Sequence, residues 1–370
     1  MEFVVRRNDL LRELQLFQGI VERKNTIPIL ANVLMEAKDD HLRFLATDLE
    51  VGLRSKCDAS VAKVGSLTVP AKKLYEIVKS LPETDIRIAE DKGGIRIAAD
   101  RFDSRMPTLP REDYPTLPEM SGRGARKLQR SALREMVGKT QFAITGEDTR
   151  YFLNGALFVV RPESMSLVAT DGHRLALVTV SRNGQESQGA EEERPILPKK
   201  TLGELGRLLA EDDGDIEFER GENHLFFKVG DRTLISRVID GQFPAYERVI
   251  PKGNDKHIEF ERDRLTNAVR RVALLSNERS RAVKFQIDNG KVDVTSSSPD
   301  LGEAHEMLPV EYSGASMQIC FNAQYILDFL AAVSTDVVSI DLKDEVSQAI
   351  VKPVGAEGYD YTYVIMPMRV

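Results

Sequence analysis

Apolar residues recur at helical spacing in six separate runs of the chain. They are Leu10, Leu14 and Phe17; Leu74, Ile77, Val78 and Leu81; Leu133, Met136 and Val137; Leu202, Leu205 and Leu209; Leu265, Val269 and Val272; and Ile326, Phe329 and Leu330. Spacings of three and four place each set on one face of a helix and leave the opposite face to water. The runs begin near Asn8, Ala71, Ser131, Lys199, Arg262 and Asn322, at intervals of 60 to 68 residues. Between them lie short alternating or β-branched runs bounded by Gly, Asp and Asn, such as Leu42 to Ala46, Ile86 to Ala89, Ile95 to Ala98, Leu167 to Ala169, Leu225 to Val229 and Val292 to Thr295. These predict strands, mostly antiparallel because the connections are short.

Two intervals make a larger unit of about 125 residues, and the ends of successive units look alike. Phe102 to Pro118 contains Met-Pro-Thr-Leu-Pro and Asp-Tyr-Pro, Leu234 to Pro251 contains Gly-Gln-Phe-Pro-Ala-Tyr, and the last stretch reads Tyr363-Val-Ile-Met-Pro-Met-Arg-Val370. The chain therefore reads as an α+β protein of three repeated domains, 1–120, 128–250 and 251–370, each with two helices packed on antiparallel sheets. The boundaries fall in Gly-rich basic sequence near Glu119 to Lys127 and near Pro251 to Lys256.

Composition narrows the class. The 370 residues are 42% hydrophobic and 29% charged, which is ordinary globular usage. No stretch approaches the ~18 apolar residues of a membrane span, and Met-Glu-Phe-Val-Val-Arg-Arg lacks the apolar core of a signal peptide, so a cytoplasmic protein without a membrane partner is expected. Cys57 and Cys320 are far apart with no neighbouring Cys or His at zinc spacing, so neither a disulfide framework nor a zinc site is expected.

The net charge of −7, from 51 basic and 58 acidic residues, argues at first against a nucleic-acid partner. Placement changes that picture: the six helical windows together carry about +6, which leaves about −13 to the rest. Lys72 and Lys79, Lys200 and Arg207, and Arg264 and Arg271 stand seven apart, nearly two turns, so each pair shares a helix face. One such face is ordinary solvated surface; its recurrence in three related helices points to a shared polyanion-facing surface. Tyr75 and Phe142 are the main aromatics of these helices, too few for a single-strand stacking platform, and no helix is built to read base edges. Duplex phosphate, bound without sequence preference, is the partner that fits.

Motif-borne catalysis is not indicated. There is no Gly-x-x-x-x-Gly-Lys loop, no strand-linked Gly-x-Gly-x-x-Gly, no His-Glu-x-x-His and no Gly-x-Ser-x-Gly. Glu211, Asp212, Asp213 and Asp215 offer carboxylates for a hard cation, but they occupy the helix-to-strand turn where Pro82 to Asp85 and Ser334 to Asp336 stand in other copies, and a solvated turn is expected. Thr170-Asp171-Gly172-His173-Arg174 pairs an acid with a histidine. Thr47-Asp48-Leu49-Glu50 holds the corresponding place without a histidine, so Thr-Asp reads as turn chemistry and Gly-His-Arg as a binding elaboration of the middle copy. No catalytic residue, metal site or cofactor is expected.

Several stretches carry a family resemblance. Thr26-Ile-Pro-Ile-Leu30, Thr47-Asp-Leu-Glu50, Val69-Pro-Ala-Lys72, Arg150-Tyr-Phe-Leu-Asn-Gly155, Ala169-Thr-Asp-Gly-His-Arg-Leu-Ala176, Phe243-Pro-Ala-Tyr246, Leu275-Ser-Asn-Glu278 and Val364-Ile-Met-Pro-Met-Arg-Val370 resemble the β sliding clamps of bacterial DNA polymerase III. The resemblance runs from end to end. It implies the DNA clamp fold, a ring-shaped head-to-tail homodimer around double-stranded DNA, and a non-catalytic processivity factor. Elementary geometry agrees on two chains: with helices about 10 Å apart, six around a circle leave a hole of about 10 Å and twelve leave nearly 30 Å, whereas duplex DNA is about 20 Å across.

The resemblance also implies a peptide groove between the second and third domains. It serves the replicative polymerase alpha subunit, the clamp loader, and other polymerases and repair proteins through short motifs. Its wall would be Leu153, Thr170, Gly172, His173, Arg174, Leu175, Pro244, Arg248, Val249, Val346, Met366, Pro367 and Met368, with a shallower arm of Arg150, Phe152, Asn322, Tyr325 and Arg369. Adaptable methionines suit a site with several ligands. Gln348 stands where relatives often have Ser. For DNA the resemblance implies Arg23, Lys24, Lys72, Glu147, Tyr151 and Phe152, with a carboxylate at Glu147 where an amide is usual. The dimer contacts would come from Arg101, Ser104 and Met106 on one chain and Leu274 and Leu275 on the other; Ser104 replaces an aromatic, with Phe102 close by. Two other readings stay open on residues alone: an enzyme acting on nucleotides, and a repeat scaffold that binds proteins but not DNA.

Overall fold

The computed structural model describes residues 1–21, 27–146, 148–182, 192–210 and 214–369. The first repeat contains β1 (Glu2–Arg6), α1 (Arg7–Phe17), β2 (Asn32–Lys38), β3 (His41–Thr47), β4 (Val51–Asp58), β5 (Ser60–Lys63), β6 (Gly65–Pro70), α2 (Ala71–Ser80), β7 (Asp85–Asp91), β8 (Gly94–Ala99) and β9 (Phe102–Pro107). The second contains β10 (Arg126–Gln129), α3 (Arg130–Thr140), β11 (Gly155–Val160), β12 (Ser164–Thr170), β13 (Arg174–Ser181), β14 (Ile196–Pro198), α4 (Lys199–Leu208), β15 (Asp215–Arg220), β16 (His224–Val229) and β17 (Arg232–Arg237). The third contains β18 (Lys256–Glu261), α5 (Arg262–Ala273), β19 (Ala282–Asp288), β20 (Lys291–Ser298), β21 (Gly302–Pro309), β22 (Met317–Asn322), α6 (Ala323–Ala332), β23 (Val337–Leu342), β24 (Ala349–Pro353) and β25 (Asp360–Ile365).

All six expected helices are present and start within one residue of their expected positions. Each buries the face its periodicity marks; Leu10, Leu14 and Phe17 of α1 and Leu265, Val269 and Val272 of α5 are inaccessible or nearly so. The strands alternate as written: in β19, Val283, Phe285 and Ile287 point into the core while the residues between them are half-exposed. Proline at the ends of β6 and β14 sits just before α2 and α4, where an N–H is not needed by the sheet and cannot be used by a helix.

The described residues form two compact units, 1–134 with 200–238 and 135–199 with 239–370. The strand order explains why the middle repeat is shared out. Unit 1 holds a five-stranded sheet, β5-β1-β7-β8-β9, and an eight-stranded one, β10-β15-β16-β17-β4-β3-β2-β6. Unit 2 holds β14-β11-β12-β13-β25-β24-β23-β18 and the four-stranded β21-β20-β19-β22. Every repeat thus contributes two four-stranded sheets, the first adding β5 to one of its own, and one sheet of the first repeat continues into the second and one of the second into the third. In unit 1 the join is β4 with β17, antiparallel, Leu53 opposite Leu234. In unit 2 it is β13 with β25, antiparallel, Leu175 opposite Val364.

An ion pair inside unit 1 reinforces its join. Glu13 of α1 lies with its side chain only 2% exposed and accepts from Arg232 of β17 at 2.7 and 3.1 Å, with the more exposed Arg12 a weaker second partner at 3.3 Å. A buried carboxylate that loses its cation has no route back to water. Replacing Arg232 with Met is expected to lower unfolding stability by about 3 kcal/mol or more, read as a fall in the calorimetric transition of unit 1, and the double replacement Glu13→Leu with Arg232→Met should recover part of it. A transition unmoved by Arg232→Met would refute the pairing.

Candidate functional site

The Thr170 to Arg174 turn links β12 to β13 and is built from its own side chains. The Thr170 hydroxyl donates to the Arg174 carbonyl at 2.6 Å and accepts from Gly172 N–H at 3.1 Å, while Asp171 Oδ1 accepts from His173 and Arg174 N–H at 2.9 and 3.0 Å. The Thr47 turn repeats every one of these contacts: Thr47 Oγ1 with the Val51 carbonyl and Leu49 N–H, and Asp48 Oδ1 with Glu50 and Val51 N–H. The expectation of turn chemistry holds. Gly172 takes φ +88°, a conformation that favours glycine, although the duplicate turn holds Leu49 at φ +79°; a Cβ at 172 would meet only the end of the Arg150 side chain, 3.3 Å away.

Arg174 departs from its duplicate, Val51, and organises the site. Its guanidinium donates to Asp171 at 3.0 Å, Asp328 at 2.5 Å and the Phe142 carbonyl at 2.8 Å, and lies over the rings of Tyr325 and Phe142 at 4.4 and 5.3 Å. Burial opposes its charge, but the Tyr363 hydroxyl, Asp328 and Asp171 outweigh that and hold its pKa above the ordinary value. With its side chain only 9% exposed, it braces the wall from behind rather than forming a lip.

The floor is apolar. Leu153, Leu157, Val159, Val168, Leu175, Ile196, Phe243, Tyr246 and Val364 form one cluster, with Phe152 packed against it. Leu153 and Leu175 are thus buried beneath the groove, while Gly172, His173, Arg248, Val249 and Met366 are exposed, and Thr170 and Pro244 are half-buried. The tail is fastened to the turn: Met366 N–H donates to the His173 carbonyl at 2.9 Å. On the arm, Arg150 forks onto Asp148 at 3.0 and 2.8 Å, which draws the Asp148 carboxyl down to about 2. Asn322 caps α6 by accepting from Gln324 N–H at 2.9 Å. Val346, Pro367, Met368 and Arg369 gather apart from the floor, around a second recess of unit 2. The Gln348 carbonyl accepts from Asn254 Nδ2 at 3.0 Å, and its side chain is half-buried.

Of the residues expected to meet DNA, Lys72 is half-buried, and Tyr151 is 57% exposed with its ring 5.9 Å from that of Phe152. Arg23, Lys24 and Glu147 lie outside the described residues, as do Glu211, Asp212 and Asp213. The basic helix faces differ from the expected free charge. Lys200 is paired with Asp48, Arg207 with Glu204 at 2.8 Å, Arg264 with Glu261 at 2.9 Å, and Arg271 with Glu306 at 2.5 Å. Phe142 is spent on Tyr363 and Arg174 rather than on any exterior surface. Among the described residues no group of His, Cys, Asp and Glu is placed to hold a metal, and no helix is long and apolar enough to cross a membrane.

Known proteins complete the identification. The sequence matches the family models described as DNA polymerase III beta subunit, N-terminal domain over residues 1–118, central domain over 127–245 and C-terminal domain over 247–369. The chain belongs to the beta sliding clamp family. It is 39% identical to the beta sliding clamp of Pseudomonas aeruginosa and 35% identical to that of Escherichia coli, over the full length of each pair. The crystal structure of the P. aeruginosa clamp bound to griselimycin superposes with a TM-score of 0.93 at 39% identity, covering both chains in full, and the Caulobacter crescentus beta sliding clamp gives 0.91 at 36%. The fold is the three-domain clamp fold, and the chain is a non-catalytic processivity factor of DNA polymerase III, the polymerising activity belonging to other subunits.

Residues alone did not reveal the Arg174 network, because Asp328 lies 154 positions away and Tyr363 lies 189 away. Only the Arg150 clamp on Asp148 and the Arg174 contact with Asp171, two and three residues off, had a local signal. Replacing Arg174 with Met is expected to strand Asp328 and Asp171 and cost about 3 kcal/mol or more, measured by denaturant unfolding. Unchanged stability would remove Arg174 from its bracing role.

Proposed function

We propose that two copies of this chain close head to tail into a ring that encircles duplex DNA, slides without reading sequence, and holds partner proteins by the unit 2 groove. The observation that carries this reading is the repeated join. Twice within the chain the fourth strand of one repeat, β4 or β13, pairs with the last strand of the next, β17 or β25. The third such pair is left open: β21 ends its sheet in unit 2, and β9 ends its sheet in unit 1. Open strand edges are templates for pairing, and a second copy supplies the matching edge for each.

The chemistry of the two edges supports their union. Phe102 on β9 is exposed at 37%, and Leu274, Leu301 and Met307 around β21 are exposed at 74, 49 and 55%. Arg101 and Arg105 on the first edge are opposite in charge to Glu303 on the second, all of them exposed, with Arg105 also meeting Asp91 at 3.0 Å. The Ser104 hydroxyl is shielded without a hydrogen-bond partner among the described residues. Met106 turns inward, 6% exposed, so it contributes main chain rather than side chain, and Leu275 is half-buried.

In this reading the repeated domains span 1–120, 128–250 and 251–370, Lys72 and Tyr151 face DNA, and the protein works in the cytoplasm. Four of the six basic residues in the recurring pairs already have carboxylate partners, so few counterions are released on binding, and the attraction to DNA is weak, indifferent to sequence and only as salt-dependent as those few contacts make it. Retention then comes from closure.

The decisive experiment loads the protein on nicked circular DNA and linearises the circle. Release through the ends is expected, and continued retention would overturn encirclement in favour of surface binding. Met307→Glu and Ala304→Pro should give a monomer by light scattering and lose retention; a dimer surviving both would place the contact elsewhere. Deleting Met366 to Val370 should abolish binding of a polymerase-derived clamp-binding peptide while leaving the dimer, and unchanged affinity would contradict the groove.

A further inference from the structure

We infer that the peptide groove of unit 2 continues past Val346 onto the edge of β22, where it takes an extended acidic segment flanking the bound peptide. This rests on the groove reading above and adds a subsite to it. The second recess has a volume of about 270 Å³, and its lining joins four groove residues to four that the groove does not include, Lys284, Gln318, Cys320 and Glu345.

β22 is the last strand of its sheet, so one side of its main chain is open to an incoming strand. The edge is already in use at one point: the Cys320 carbonyl accepts from Met368 N–H at 2.7 Å. At Cys320 the main chain therefore faces away from β19, and with a strand period of two the same is true at Gln318, whose N–H reaches the Glu345 carboxylate at 3.4 Å. The Cys320 N–H and the Gln318 carbonyl lie on that same edge. A segment pairing with them adds a strand, the mode in which main chain supplies affinity and side chains supply selectivity.

Charge selects the segment. Lys284 stands opposite Cys320 on β19 and on the same sheet face, and Arg369 lies across the recess on the tail. Neither has an ion-pair partner among the described residues, whereas Glu345, the one carboxylate in the described lining, is occupied with Gln318 N–H. Between them the recess is a net cation, and its floor is the small neutral Cys320 thiol, which burial raises above its ordinary pKa. An acidic side chain two residues along an extended strand meets both the charge and the spacing.

Fluorescence anisotropy on the full-length dimer tests this with synthetic peptides that share a Leu-Leu-Phe core. One set carries no extension, one carries Thr-Glu-Val-Glu and one Thr-Lys-Val-Lys, each appended at either end, and a last set has N-methylated extension amides. At one end, the acidic extension is expected to tighten binding about tenfold over the core, the lysine extension to give no gain, and N-methylation to remove most of the gain. Lys284→Glu should reverse the preference while core affinity, which reports folding, stays unchanged. Equal affinity of core and acidic peptide at both ends, or a gain that survives Lys284→Glu, would overturn the subsite. A core peptide that fails to bind the intact dimer would overturn the groove reading itself and the subsite with it.

Discussion

Antiparallel pairing between the edges of successive repeats is the constraint on which the rest depends. A clamp domain alone has two sheets, each with edges whose N–H and carbonyl groups need partners. Joining β4 to β17 and β13 to β25 satisfies those groups and fixes register, because a slip of one residue would turn Leu53 and Leu175 out of the core. The same joins bring the turn after β3 beside the end of β17, and the turn after β12 beside the tail. Arg237 N–H meets the Glu50 carbonyl in one place, and Met366 N–H meets the His173 carbonyl in the other. The groove of unit 2 is thus a by-product of strand pairing, later furnished with side chains.

Furnishing is where the repeats part. By register, Glu36, Arg43 and Arg54 in unit 1 correspond to Val159, Ser166 and Leu177 in unit 2. In unit 2 Val159 and Leu177 belong to the apolar cluster under the groove, while the Ser166 hydroxyl meets that of Thr179 at 2.9 Å. In unit 1 Arg111 pairs with Glu36 at 2.6 Å, Arg54 donates to the Leu117 and Pro118 carbonyls at 2.7 and 2.9 Å, and a cavity of about 680 Å³ remains beside them. Both arrangements hold the linker to the sheet. Only the apolar one leaves a surface that peptides of varied sequence can wet, since an ion-paired lining must be broken before a ligand gains anything.

Much of this was legible from local sequence. Helices declare themselves by a 3.6-residue period that tertiary packing then uses, and Thr47-Asp48 and Thr170-Asp171 could be matched as turns because their bonds span at most four residues. The groove floor was reachable only through family resemblance, since nothing local distinguishes Leu153 or Leu175 from any buried leucine. Long-range pairing was not legible at all. Arg174 reads as one more basic residue until Asp328 and Tyr363 close on it, and Lys200 reads as a free cation until Asp48, 152 positions earlier, meets it. Likewise Met106, expected at the dimer contact, turns its side chain inward on β9, because alternation fixes a side chain's direction only once the register is known.

The paired helix cations bear on how a ring can hold DNA without stopping on it. A free lysine binds phosphate by releasing a counterion, and each such contact must be broken for the ring to advance. A cation that already shares a carboxylate offers only part of its charge, and exchange of partners costs little because exposed ion pairs contribute about 0–1 kcal/mol. Arg264 and Arg271 are exposed and paired in this way, whereas Arg207 answers a buried carboxylate, Glu204, and is held more firmly. In the proposed ring, a lining of that kind would keep the bore positive within the ~8 Å reach of screened charge, yet flatten the energy from one phosphate to the next. Weak attraction is then compatible with long residence, because closure of the edges, not the strength of any contact, sets how long the protein stays.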